Sequence, residues 1–181
     1  PNNWESFFGG PAWTYDGRTG EWYLHLFDER MPDMNWETEA LREELFEMME
    51  WWLDNGIDGF RMDVINLISK PEGLPDGEDP TAIVDGADTF VNGPNVHDYL
   101  SELHDRVLDG TDSMTVGEMA ELSVEEAKRY VGEDGDGMSM VFTFDHMRLD
   151  MTDAGRWSRR ESSPKELKET IKAVTSLIEP F

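Results

Sequence analysis

The chain has 181 residues, of which 40 are acidic and 15 basic, for a formal net charge of -25. A surface of that sign repels nucleic acid and anionic membranes, so neither is an expected partner, while 38% hydrophobic and 11% aromatic residues argue against a disordered chain. There is no cysteine, which excludes a disulfide framework and a thiolate metal site. No run of about 18 apolar residues offers a membrane span and no basic-then-apolar stretch reads as a leader, so a cytoplasmic location is expected. Arginines outnumber lysines, and the size of the charge points to a halophilic origin, where molar salt shortens the Debye length to about 3 Å and screens self-repulsion. The chain opens at Pro1 rather than Met and stops at Phe181 inside an amphipathic pattern, as a piece of a longer polypeptide would.

In chain order, residues 1–27 are dense in aromatics (Trp4, Phe7, Phe8, Trp13, Tyr15, Trp22, Tyr23, Phe27) punctuated by Gly9-Gly10-Pro11 and Asp16-Gly17. These are turn signals between short strands, with most of the aromatics expected in a small core and the rest available to stack on a sugar face. Asn35 or Thr38 can cap a helix from Glu39 to Asp54, with Leu41, Leu45, Met48, Met49, Trp52 and Leu53 on its apolar stripe and Asn55-Gly56 as its stop. A short apolar strand follows at Ile57. The Pro- and Gly-broken stretch 70–93 reads as a long functional loop. Helical spacing resumes from Val96 to Leu108, then come a strand at 114–120, a helix from about Ser123 to Val131, a strand at 138–144, and a last helix opened by Ser163-Pro164 and running through Leu167, Ile171, Val174 and Leu177. Strands regularly separated by helices predict an α/β fold with a parallel sheet, whose chemistry sits at the C-terminal ends of the strands.

Two of those strands carry carboxylates at that end. The run Gly56–Asn66, GIDGFRMDVIN, reads as a strand buried on both faces, yet it holds Arg61 and Asp63, two apart and therefore on one face. A buried carboxylate needs a partner, and Arg61 is placed to supply it, either as a structural ion pair or to hold a catalytic group ionised. Glu118 ends the second strand beside Val116, Gly117 and Met119. One carboxylate beside arginine and another beside apolar neighbours suit a retaining glycosidase, which needs an ionised nucleophile and a protonated acid about 5 to 5.5 Å apart. His97 and His104 read as surface or packing residues; no metal and no cofactor is expected.

GFRMDVIN at 59–66, TVGEM at 115–119, MPDMNW at 31–36, NGPN at 92–95 and MVFTFDHM at 140–147 together resemble the α-amylase superfamily of retaining glycoside hydrolases, most closely its oligo-1,6-glucosidase and α-glucosidase branch. The resemblance implies part of a (β/α)₈ TIM barrel, about strands four to six, in residues 28–181, preceded in residues 1–27 by the tail of a small inserted domain. It implies Asp63 as nucleophile, Glu118 as acid/base and Arg61 as the residue holding Asp63. It further implies Val64, Phe144 and Asp145 as substrate-binding positions, and Val64 is similar to the residue of the α-1,6-cleaving members. Met31 departs from the glutamine usual in that branch. The implied substrate is a short gluco-oligosaccharide cleaved at a terminal α-glucosidic bond, α-1,6 ahead of α-1,4. Two alternatives stand beside it: a glucosyl-transferring isomerase or synthase of the same superfamily, and a catalytically silent sugar-binding or transporter-associated relative.

Overall fold

The computed structural model describes residues 1–79, 86–120, 122–131, 137–152 and 155–175, and of Val124, Asp145, 155–157 and 173–175 the backbone alone. The chain forms two compact units, one of Pro1–Asn55 with Asn66–Tyr99, the other of Gly56–Ile65 with the chain from Leu100 onward.

In the first unit an antiparallel hairpin pairs β1 (Trp13–Asp16) with β2 (Glu21–Leu24), Trp13 opposite Leu24 and Asp16 opposite Glu21. Its turn forms where Asp16-Gly17 predicts one: the Asp16 carboxylate accepts the Arg18 N–H at 2.9 Å and its carbonyl the Gly20 N–H at 2.8 Å. Of the eight aromatics in residues 1–27, Trp4 alone is fully buried, its ring 5.0 Å from that of Phe90. The expectation that most are core fails because a two-stranded hairpin can cover one face only. Tyr15 and Trp22 remain half exposed and rest on each other at 5.4 Å.

Helix α1 (Glu39–Asp54) starts without the expected cap: Thr38 is extended, but its side chain makes no capping bond. Asn35 instead accepts the Glu37 N–H at 3.2 Å, and Arg42 anchors the first turn by donating to the Trp36 carbonyl at 2.7 Å and lying 5.2 Å over the Tyr99 ring. The helix ends at Asn55 and Gly56 as predicted, Gly56 with φ +90°. Its inward row is Phe46 and Met49, whereas Met48 and Trp52 of the expected stripe are exposed. The motif Asn92-Gly-Pro-Asn95 docks on residues 66–69. Asn92 donates its N–H to the Asn66 carbonyl at 2.9 Å and accepts from the fully buried Asn66 amide at 3.2 Å. Gly93 passes so close to the Ser69 carbonyl that a Cβ would collide with it. Stretch 70–93 is therefore anchored at its end and holds the short helix α2 (Ala87–Phe90), while its residues 80–85 lie outside the described ones.

The second unit is built on a parallel sheet of β3 (Gly59–Met62), β4 (Met114–Glu118) and β5 (Met140–Phe142), in that order. Gly59 has φ +149° opposite Met114, and a side chain there would run into the Met114 carbonyl, so only glycine lets the first two strands close at that end. Helix α3 (Val96–Leu103) begins in the first unit and from Leu100 belongs to the second, where it runs on as a π-helical turn, His104–Leu108, whose Val107 and Leu108 are buried. Helix α4 (Val124–Tyr130) opens on a reciprocal capping box, the Glu126 N–H donating to Ser123 Oγ at 3.2 Å and the Ser123 N–H to Glu126 Oε2 at 3.0 Å. After β5 come α5 (Asp145–Arg148), a hairpin of β6 (Met151–Thr152) and β7 (Gly155–Arg159) that the sequence pattern does not predict, and α6 (Pro164–Thr175). The expected Leu177 end of the last helix lies outside the described residues.

Candidate active site

Sheet register decides which side chains meet. Arg61 stands opposite Val116, Val116 opposite Met140, and Glu118 opposite Phe142, so these five share one face of the sheet, with Met62, Gly117 and Val141 on the other. The Arg61 face is open, with Arg61, Met140 and Phe142 all exposed. This corrects the expectation of a strand buried on both faces: Met62 is buried, but the Arg61 and Asp63 side chains are 50% and 65% exposed.

The guanidinium of Arg61 is the hub. Its Nη1 pairs with Asp63 Oδ1 just past the end of β3, and its Nη2 pairs with Glu118 Oε2 on the last residue of β4. The structure thus joins Arg61 and Asp63 of one motif to Glu118 of another, with Arg61 between the two carboxylates. Glu118, expected beside apolar neighbours alone, shares the arginine expected to serve Asp63; the two carboxylates differ instead in burial, the Glu118 side chain being 12% exposed against 65% for Asp63. The pair to Asp63 is solvated and worth at most about 1 kcal/mol, so it orients more than it stabilises. Removing Arg61 from Glu118 would leave a nearly buried carboxylate without that cation, a costlier loss.

Phe142 completes the cluster and was not singled out from the sequence. Its ring lies 5.9 Å from the Arg61 guanidinium carbon, within cation–π range. The signal was present: two residues before Phe144 in a strand is the same face, and β5 ends at Phe142, so the alternation stops there. Phe144 lies beyond the strand, edge-on to Phe142 at 5.7 Å and half-buried. Asp145 opens α5, and its side chain lies outside the described residues. Val64 follows Asp63 and is half-buried. His104 lies 3.5 Å from the Asp105 carboxylate, its ring packed so closely on Gly137 that a Cβ there would collide with it. Among the described residues no group of three or more His, Asp or Glu could hold a metal.

Residues 1–180 match the sequence pattern of the alpha-amylase catalytic domain. The chain belongs to that family. The family's fold is a (β/α)₈ barrel, and the three parallel strands β3, β4 and β5 are the part of it described here. The chain is 53% identical over 173 residues to an oligo-1,6-glucosidase of Halalkalibacterium halodurans, a match covering 94% of this chain and 31% of that protein. Among solved structures it resembles trehalose-6-phosphate hydrolase of Bacillus licheniformis at 40% identity and a TM-score of 0.89, covering 98% of this chain and 31% of the other. A trehalulose synthase variant matches at 38% identity and a TM-score of 0.87, with 98% and 32% covered. The alpha-amylase family chain thus spans about a third of the length of the relatives it matches.

The first unit holds a separate feature. A cleft of about 490 Å³ is lined by Trp13, Trp22, Trp36, Tyr99, Asp33 and Lys70 among others. On its wall Lys70 Nζ donates to Asp33 Oδ1 at 2.5 Å and to the Leu67 carbonyl at 2.7 Å, and both charged side chains are largely buried. Burial pushes the Asp33 carboxyl up and the Lys70 ammonium down, in each case against the smaller pull of the partner.

Proposed function

We propose that this chain carries the two catalytic carboxylates of a retaining α-glucosidase acting on short gluco-oligosaccharides, with α-1,6 bonds favoured over α-1,4. Residues 1–27 are read as the end of an inserted small domain and residues 28–181 as the central part of the catalytic barrel. The single observation that supports the reading is the shared cation: Arg61 reaches Asp63 and Glu118 together at the C-terminal ends of adjacent parallel strands.

In this reading Asp63, open to the face where a sugar would lie, is the nucleophile. Its oxygen forms a bond to the anomeric carbon as the glycosidic C–O bond breaks, and Glu118 gives its proton to the departing sugar oxygen. Water then attacks the glycosyl-enzyme, Glu118 takes the water's proton, and the Asp63 carboxylate is released. Arg61 holds the Asp63 carboxylate in place for attack. Phe142 supplies an apolar ring beside it. Relatives named oligo-1,6-glucosidase and alpha-glucosidase support the hydrolytic reading, and Val64 after the nucleophile supports the α-1,6 preference.

The test is made on the protein of the relatives' length that carries this chain. Asp63→Ala should abolish turnover of isomaltose, and azide should restore release of the phenol from an activated aryl α-glucoside, forming β-glucosyl azide. An Asp63→Ala variant with wild-type turnover would end the assignment. The likeness to a trehalulose synthase keeps a second reading in view, transfer of the glucosyl unit to another sugar. Product analysis separates the two: free glucose in proportion to bonds cleaved for hydrolysis, a rearranged disaccharide for transfer.

A further inference from the structure

Val64 has φ +36°, in the left-handed region that L-residues rarely enter and β-branched ones least of all. Nearly every other residue of positive φ among those described is glycine; the other exceptions are Leu74 and Asn92. A strained backbone of this kind persists only where its surroundings over-determine it, and such residues gather at functional sites. Here the constraint lies on either side. Met62 before the pair and Ile65 after it are buried, 8% and 6% exposed, while Asp63 between them stands open. With both anchors sunk three residues apart, Asp63 and Val64 form a turn that leaves β3 and enters the 3₁₀ turn Ile65–Leu67 at once.

We propose that Val64 is a positioning residue whose left-handed backbone, pinned between buried Met62 and Ile65, sets the Asp63 carboxylate against Arg61. Glycine or asparagine would fit that φ with less strain. Valine confines the turn to few shapes because its β-branched side chain is stiff, so the strain is the cost of a fixed carboxylate. This role is separate from any contact of the Val64 side chain with the leaving sugar: it acts on the attacking oxygen, whatever the leaving group. The inference rests on Asp63 being the nucleophile.

The experiment uses α-glucosyl fluoride, whose leaving group is a single atom and cannot touch a leaving-sugar pocket, beside isomaltose, in the protein of full relative length. Val64→Gly relaxes the turn. It should keep or raise Tm while lowering kcat on the fluoride by about tenfold to a hundredfold with KM unchanged, and by a similar factor on isomaltose. Val64→Asn, which also tolerates the left-handed region, should repeat the loss, and serves if the glycine variant folds poorly. Val64→Ile, which keeps the branching, should retain near-wild-type kcat on the fluoride. A Val64→Gly variant with wild-type kcat on the fluoride and altered turnover on isomaltose alone would overturn the positioning role. So would a Val64→Ile variant as impaired on the fluoride as Val64→Gly. Either outcome leaves the nucleophile intact as long as Asp63→Ala stays inactive, whereas an active Asp63→Ala variant ends the underlying reading instead.

Discussion

Arg61 is the residue on which the site turns, because one planar guanidinium serves two carboxylates with two different nitrogens. Lysine offers a single point charge and cannot reach both in fixed geometry. Arg61→Lys should therefore keep the fold yet lower kcat/KM by about 10² to 10³, as loss of one preorganised electrostatic group does; wild-type kinetics would assign Arg61 to structure alone. Glu118→Gln checks the other carboxylate. An acid that protonates the leaving group matters little when that group leaves unaided, so the variant should retain glycosylation by an activated aryl glucoside and lose isomaltose. Equal losses on both would point to a structural part for Glu118. The Arg61–Asp63 pair was legible in sequence as two charges two residues apart, although Asp63 stands in the turn just past β3 and not on the strand. That Arg61 also reaches Glu118 was not, since which residue of β4 faces Arg61 depends on register, and register is set by the closure at Gly59 and Met114. Phe142 was missed for a different reason: it alternates with Phe144 along the run, but the strand ends at Phe142, and where a strand ends decides which of its alternating residues still belongs to a face.

At the scale of elements, the chain's punctuation was well written. Ser123-x-x-Glu126 and Ser163-x-x-Glu166 both open helices by reciprocal bonds, and Asn55-Gly56 closes one. Less legible was what happens between elements. Nothing in local spacing announces that Asp33, before α1, meets Lys70, beyond β3, because 37 residues separate them. Their burial has a testable cost. For each group desolvation outweighs the partner's pull, so the pair specifies a contact more than it stabilises one. A carboxyl held above its ordinary value contributes stability that falls as pH climbs above about 4, through the raised value; a lysine held below its ordinary value contributes stability that rises with pH up to about 10. Lys70→Met strips Asp33 of its cation and should cost about 3 to 5 kcal/mol near neutral pH, whereas adding Asp33→Leu should recover most of that. By the same sign, the Lys70→Met deficit in Tm should be larger at pH 8 than at pH 4. A double variant as unstable as the single one would show that the pair is worth more than its burial costs.

For the whole molecule, alternation of helices and strands was enough to predict a parallel sheet, and β3, β4 and β5 form one; the two-unit division was not foreseeable, since it follows long-range contacts. Charge acts at this scale too. A formal charge of -25 on 181 residues repels itself, and that repulsion is screened as salt shortens the Debye length from about 30 Å at 0.01 M to about 3 Å at 1 M. Tm should accordingly rise between dilute and molar potassium chloride, and an unchanged Tm would count against a salt-adapted chain.

The sheet itself sets the last expectation. In the described sheet β3 and β5 are edges with apolar residues along them, and the face bearing Arg61, Met140 and Phe142 is exposed. In a closed eight-stranded barrel every strand is paired on both sides and that face becomes a packed or substrate-lined interior. Three strands cannot close, and open, apolar parallel edges pair with other chains. Trp51 and Trp52 of α1 and Leu167 and Ile171 of α6 add further exposed apolar surface. Material made from residues 1–181 alone should therefore self-associate in light scattering and release no glucose from isomaltose, while the protein of the relatives' length is active. Monomeric, sugar-cleaving material from these 181 residues would show that the site at Arg61 needs no further strands, and the barrel reading of residues 28–181 would fall with it.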